Sequence, residues 1–310
     1  MRSRKMYDFV GKRFWFLFFS TAIVIPCIIS LAVFGLKPGI EFRSGATMTL
    51  AFSTDVNETQ LRTALTDLGY SQTVVQRTGD GDFIVRMELI HTEQNTQLLS
   101  GLNTKLDTVT EQKEFALVSP VVASATVRNA ILAVLGASAG ILLYITFAFR
   151  RMPKPFRWGV CAIVALIHNV LVVTGIFSIL GWVAGVEIDA LFITGMLTVV
   201  GYSVHDTIVV FDRIRENMAR SHISFDKVVN ASILQTLSRS IITPLTLIFV
   251  LLALFMLGGA TIHYFTLVLI IGCITGTYSS ICNASQILVI WENNEWHRLN
   301  PFHKNKAVKL

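Results

Sequence analysis

The sequence predicts a polytopic α-helical membrane protein, with six transmembrane helices and one α+β domain outside the membrane. Three observations predict it. Of the 310 residues, 53% are hydrophobic and only 15% charged, against roughly 25% charged in a soluble domain. Six apolar stretches reach the roughly 20 residues that cross a bilayer: Phe14–Phe34, Ala130–Phe149, Trp158–Val183, Ala190–Phe211, Ser240–Leu257 and Phe265–Ile290. A single long polar segment separates the first stretch from the second. The division is an N-terminal arm at 1–13, a first helix at 14–36, an external domain at 37–127, helices two to six at 128–291 and a tail at 292–310.

The first stretch resembles a cleavable leader in position only. It runs about 21 residues and lacks a small-x-small exit, so it reads as a retained helix. Between Lys37 and Ser119 the chain carries seven Lys/Arg and eleven Asp/Glu, polar enough to fold in water. Here "GATMTLAFS" alternates as a strand does. "NETQLRTALTDLGY" places Leu61, Ala64, Leu65 and Leu68 on one helical stripe, with Asn57 as N-cap. "SQTVVQRT" and "DFIVRMEL" read as strands around the turn "GDGD". "HTEQNTQLLSGLNTKLDTV" reads as a second helix and "KEFALVS" as a closing strand. The order βαββαβ predicts a ferredoxin-like sandwich. His91 stands alone and reads as structural.

Charge explains orientation rather than nucleic-acid binding. The net +6 collects before span one (Arg2, Arg4, Lys5, Lys12, Arg13), between spans two and three (Arg150, Arg151, Lys154, Arg157), between four and five (Arg213, Arg215, Arg220, Lys227) and after span six (Arg298, Lys304, Lys306, Lys309). The intervening connections "GVEID" and "GGATIH" carry no Lys or Arg. By the positive-inside rule both termini are cytoplasmic and residues 37–127 lie on the opposite side of the membrane. Cys27, Cys161, Cys273 and Cys282 all fall inside apolar spans without metal-type spacing, and read as small buried hydrophobes. Nothing here suggests bond-making chemistry: no phosphate-binding glycine loop, no nucleophile–base pair, no metal cluster and no cofactor.

The chemistry-bearing feature is "GYSVHDTIVVFDRIREN", where an apolar run contains Asp206 beside His205. An ionisable group inside a membrane is costly and is a functional candidate. Span three adds His168 and Asn169, and Arg239 stands where span five begins. If span four continues to a turn near "SHIS", Asp206 lies fifteen residues before Ser221 and Arg239 fifteen after Ser224. Both then sit roughly 22 Å from the turn, at one height. Two readings compete: a structural ion pair, or a protonation site switched by the arginine, since burial raises an aspartate's pKa and a nearby cation lowers it. Asp212, Arg213, Arg215 and Glu216 fall at the boundary, where topology and helix-surface pairing account for them. Gly272 and Gly276 form a Gly-x-x-x-Gly pair suited to close helix packing, inside the bundle or against a second membrane protein.

These residues resemble the SecF family, accessory subunits of the bacterial preprotein translocase within the RND superfamily. "GYSVHDTIVVFDRIREN" is similar to the family's span-four signature, "YDFVGKRFWF" to its amino terminus, and "GIEFRSGATM" to its motif after span one. "ALIHNVLVVTGIF" and "QTLSRSIIT" are similar to spans three and five. The resemblance implies a complex with SecD at the bacterial inner membrane, association with the SecYEG channel, the translocating preprotein and YajC, and coupling of a proton or sodium gradient to late steps of export. It implies ion-coupling roles for Asp206 and Arg239, with His205 adjacent and His168, Asn169 and Tyr202 as intramembrane support. It implies no enzyme and no cofactor beyond the transported ion. The alternative is an RND-type small-molecule efflux subunit, which would call for about twelve helices and two large external domains. The chain departs from the family at Glu41, where Asp is usual, at Ser44, where Gly is usual, at Asn169, where Asp is common, and at His205, where Asn is usual.

Overall fold

Alternation and helical spacing set the polar segment into four strands and two long helices. The computed structural model describes residues 7–78, 81–88, 91–221 and 223–296. The chain divides into two units: Met1–Leu36 with Ala133–Val186 and Thr194–Leu310, and Lys37–Leu132 with Glu187–Ile193. Arg2, Arg4, Lys5, Arg298, Lys304, Lys306, Lys309, His222 and the first half of the "GDGD" turn lie outside the described residues.

In the Lys37–Leu132 unit, a short helix α2 (Ile40–Arg43) precedes β1 (Gly45–Phe52), α3 (Glu58–Asp67), β2 (Val74–Arg77), β3 (Phe83–Met87), α4 (Thr92–Leu106) and β4 (Thr110–Val118). The strands form one antiparallel sheet in the order β2-β3-β1-β4, the arrangement expected of βαββαβ. Period-two residues Ala46, Met48 and Leu50 of β1 and Phe83, Val85 and Met87 of β3 meet the stripe Leu61, Ala64 and Leu65 of α3. Leu98 and Leu102 of α4 complete this apolar core. Asn57 caps α3 as expected: its Oδ1 accepts from Gln60 N at 2.8 Å, and Gln60 Oε1 accepts from Asn57 N at 3.0 Å. α2 escaped the pattern because four residues are too few for a helical period to register. After it Ser44 takes φ 73° and Gly45 φ 142°, and a Cβ on Gly45 would lie 2.6 Å from the Met87 carbonyl oxygen. Glycine is required there.

Residues 187–193 belong to this same unit. Gly39 N donates to Ile188 O and Ile188 N to Lys37 O, each at 2.8 Å. Arg86 Nε lies 3.4 Å from Glu187 Oε2. Glu41 Oε2 accepts the backbone N–H of Ala190, the first residue of the helix that follows. A carboxylate there satisfies an otherwise orphaned donor and complements the helix dipole.

The other unit is built from α1 (Arg13–Val33), α5 (Pro120–Ala148) from Ala133 on, α6 (Pro155–Ala184), α7 (Ala190–Arg220) from Thr194 on, α8 (Phe225–Leu257), α9 (Ala260–Ser279), a π-helical turn (Ser280–Ala284) and α10 (Ser285–Glu292). Among the described residues, six helices are long and apolar enough to cross a membrane. They correspond to the six apolar stretches, but α5 starts at Pro120, ten residues before its stretch. The external-domain boundary drawn at 127 therefore cuts through a helix. Hydropathy registers only the lipid-compatible part of a helix, whereas proline at a helix start and the polar pair Arg128–Asn129 leave the backbone helical.

α6 is the most enclosed helix. A Cβ on its Gly175 would fall 2.2 Å from Cys27 Cβ of α1, so the glycine permits that contact. Phe149, Trp158 and Phe211 form a buried aromatic cluster, with Trp158 ring centroids 5.2 Å from each of the other two. At the same end Arg13, 8% exposed, donates from Nε and Nη2 to Glu295 (2.9 and 2.7 Å) and from Nη1 to Val10 O (2.9 Å), with Asp226 3.6 Å away. Asn230 Oδ1 accepts from Phe9 N at 2.8 Å, tying α8 to the start of α1. The four cysteines are buried and unpaired.

Candidate ion-coupling site

The site is assembled on one face of α7. Ser203, Asp206 and Thr207 stand three and four residues apart, so their side chains share that face. All three are buried, Asp206 at 8% exposure. Both carboxylate oxygens of Asp206 are engaged, and by different helices. Ser240 Oγ of α8 donates to Oδ1 at 2.8 Å. Ser280 Oγ, the first residue of the π-helical turn, donates to Oδ2. Asp206 is therefore the point at which spans four, five and six meet through polar contacts.

Span three joins one turn away. Asn169 Nδ2 donates to Ser203 Oγ at 2.6 Å, and Asn169 Oδ1 lies 3.2 Å from His168 Nδ1. The Nε2 of His168 is buried without a hydrogen-bond partner among the described residues. The ring stands 6.2 Å from that of Tyr278. Span one enters through Ser20, whose Oγ lies 2.5 Å from Asn283 Oδ1 and 3.2 Å from the Tyr278 hydroxyl. Tyr278 in turn donates to the Phe16 carbonyl at 2.8 Å.

The π-helical turn supports this seam. Its i→i+5 spacing recurs in side-chain bonds: Ser285 Oγ donates to Ser280 O at 3.0 Å and Gln286 Nε2 to Ile281 O at 3.3 Å. Such single-turn insertions collect at functional sites because they reposition side chains within an otherwise regular helix.

The predicted residues separate into those brought together and those not. Asp206, His168 and Asn169 lie in the buried seam. Arg239 does not touch Asp206: it is exposed, and no ion pair joins the two among the described residues. The height argument brings α8 to the level of Asp206, but its neighbour Ser240 makes the contact. Adjacent helical residues point about 100° apart, and equal height says nothing of that angle. His205 is likewise exposed. Tyr202 is half-buried and packs against Leu251, Ile270 and Cys273. The glycines Gly272 and Gly276 make their close approach inside the chain. A Cβ on Gly272 would lie 2.0 Å from Val199 Cγ2, and one on Gly276 3.2 Å from Ser203 Cβ. They seat span six on span four beside the site, rather than facing a partner.

Sequence reasoning passed over Ser203, Ser240, Ser280, Asn283, Ser20 and Tyr278. The signal was present in span six, where "TYSSICNASQ" packs seven polar side chains into ten residues of a membrane-length helix.

Comparison with known proteins agrees with this architecture. Residues 99–294 match the family described as protein export membrane protein SecD/SecF, C-terminal, and residues 29–56 match the SecD/SecF GG motif. The latter stretch contains Glu41 and Gly45. The protein translocase subunit SecF of Thermobaculum terrenum is 47% identical over 306 residues, covering 95% of this chain and 96% of that protein. The SecF subunit of Anaerolinea thermophila is 40% identical, covering 94% and 96%. The crystal structure of SecDF from Thermus thermophilus, a translocon-associated membrane protein, superposes with a TM-score of 0.82 at 32% identity. It covers 94% of this chain, which spans 40% of the SecDF chain's length. The chain belongs to the SecD/SecF family of protein-export membrane proteins.

Proposed function

We propose that this chain is an accessory subunit of the bacterial preprotein translocase that couples an ion gradient to late steps of export. It does so as one half of a complex with SecD, alongside the SecYEG channel. Its membrane is the inner one, with both termini cytoplasmic and the α+β domain periplasmic, as the distribution of Lys and Arg favours. The observation that carries the reading is Asp206: a buried carboxylate in a membrane-length helix, hydrogen-bonded by two other membrane helices at once. A scaffold gains nothing from desolvating such a group, whereas a group that changes charge at a three-helix junction alters how those helices hold together.

Arg239 enters as the counter-charge of a second arrangement. Rotating α8 about its axis by one residue, about 100°, exchanges Ser240 for Arg239 against Asp206. An ionised Asp206 gains from that exchange and a protonated one does not. A gradient of about 100 mV supplies about 2.3 kcal/mol per charge, as much as a swing of one to two pKa units.

The test is export into membrane vesicles with and without a gradient, at matched amounts of complex. Asp206→Asn mimics the protonated form and cannot cycle, so it should assemble normally and lose the gradient-dependent part of export. Arg239→Ala should lose it too. Full gradient stimulation in Asp206→Asn would end the coupling reading. Reduced amounts of assembled complex as the only defect would make the carboxylate a brace.

A further inference from the structure

Ser280 has one hydroxyl hydrogen and two acceptors within reach. Its Oγ donates to Asp206 Oδ2 and also lies 3.0 Å from the Thr277 carbonyl oxygen, with donor geometry to both. A serine hydroxyl donates only once, though it accepts through two lone pairs. The two bonds are therefore alternatives. Ser240 differs: its hydroxyl donates to Oδ1, and no second acceptor competes for it among the described residues.

We infer that Ser280 reads the protonation state of Asp206 by reversing its hydrogen bond, and that Oδ2 is the oxygen that takes the proton. The inference rests on the coupling role proposed above for Asp206. With the carboxylate ionised, Ser280 donates to Oδ2 and Ser240 to Oδ1. When a proton arrives from the medium, an O–H bond forms at Oδ2. That group then donates to Ser280 Oγ, and the Ser280 hydroxyl rotates to give its own hydrogen to Thr277 O. No covalent bond of Ser280 breaks, and the charge change is confined to Asp206. Oδ1 is the unsuitable oxygen, because Ser240 already directs a hydrogen at it and finds no second acceptor among the described residues.

The reversal matters because of where Ser280 stands. It opens the π-helical turn, and its own carbonyl accepts from Ser285 Oγ at 3.0 Å. Thr277 O lies in the last turn of α9, immediately before the π-helical turn. The hydroxyl's own hydrogen therefore moves from a bond between helices to a bond within span six, while the bond to Asp206 persists with its direction reversed. Protonation replaces the charge-assisted tie between α7 and span six, the stronger kind of hydrogen bond, with a neutral one, and turns the Ser280 hydroxyl hydrogen to the junction where α-helix becomes π-helix. Within the membrane-spanning stretches around Asp206, the other titratable or charged groups include Tyr202 and His205 on α7, Arg239 on α8, His168 on α6, and Cys273, Tyr278 and Cys282 on span six. None donates a hydrogen bond to Oδ2.

Infrared difference spectroscopy of the full chain in lipid nanodiscs, titrated with acid, tests this directly. Asp206→Asn identifies the protonated carboxyl band by removing it. In Ser280→Ala the acid hydroxyl loses its acceptor, and the band should shift to higher wavenumber. Ser280→Thr, which keeps the hydroxyl, should restore the wild-type position. Ser280→Cys, a weak hydrogen-bonding group, should lie between and guards against an alanine variant that fails to fold. A carboxyl band that titrates and disappears in Asp206→Asn, yet keeps its position in Ser280→Ala, overturns the reversal and leaves the coupling role standing. Identical spectra for wild type and Asp206→Asn across the titration would remove the protonation site itself, and the reversal with it.

Discussion

The α+β unit and the helical unit solve opposite solvent problems. In the first, the core cluster is apolar residues from β1, β2, β3, α3, α4 and Val56, and charges lie outside it in exposed pairs such as Arg62–Glu58 and Lys105–Asp67. In the second, hydroxyls, amides and a carboxylate are buried between helices, while large apolar side chains stand exposed along α5 and α8. Leu143, Phe147, Phe249 and Leu257 are among these. Water rewards burial of apolar area. Lipid does not, and there close packing and interhelical hydrogen bonds provide the cohesion. The same residue type therefore has a different energetic meaning in each unit.

The largest expected effect contrasts two glycines. Gly272→Leu forces atoms into Val199, where even a Cβ would come within 2.0 Å, and this contact seats span six on span four. Overpacking of this kind costs about 1–3 kcal/mol or more, and here no flexible chain end can yield. Folded chain recovered in detergent should fall sharply. Gly136→Leu on α5 meets nothing within 4 Å and should leave the yield unchanged. Equal yields would mean that glycine packing does not organise the bundle.

A middle-sized effect comes from deleting the same kind of apolar atoms in each unit. Leu61→Ala empties a fully buried position of the α+β core and should cost about 2–5 kcal/mol. Phe249, 63% exposed on α8, should cost about 0.5 kcal/mol or less on truncation to Ala. Denaturant titration of both variants in nanodiscs measures the difference. If Phe249→Ala proves the costlier, that face of α8 is covered and the contrast fails there.

The smallest effect is on pH. Glu187 and Asp189 lie outside the membrane-spanning segments. Burial lifts Glu187 above its ordinary value of 4.5, against the opposing pull of Arg86, Arg43 and Lys37. Burial likewise lifts Asp189 above 3.8, opposed first by the Phe192 N–H. A carboxyl raised in the folded state contributes stability that is fully present below its unfolded pKa and is lost as pH rises through the folded value. The bonds of Ile188 to Lys37 and Gly39 should therefore loosen as pH rises out of the ordinary carboxylate range. Glu187→Gln cannot ionise and should flatten part of that trend. Amide hydrogen exchange at Gly39 and Ile188, corrected for intrinsic rates, reads it out. An identical pH slope in both proteins would dismiss Glu187 as its source.

Sequence by itself determined the elements of each unit. Six membrane-length helices, the βαββαβ order, the Asn57 cap and the suspicion attached to Asp206 all follow from periodicity, capping chemistry and the cost of charge in lipid, each local to a few residues or one helix. The tertiary structure decided which side chains face one another. Arg239 and Ser240 are neighbours at one height, and only the rotation of α8 about its axis puts the serine on Asp206. The polar run of span six was legible, but which of its side chains meets the carboxylate was not: among Thr277, Ser279, Ser280 and Asn283, only packing sets Ser280 on Asp206. Gly272 could have faced lipid, a partner or span four, and only the packed bundle sets it on Val199. Hydropathy averages over a helix's circumference and so discards the azimuth, and it is the azimuth, set by long-range packing, that assembles the site.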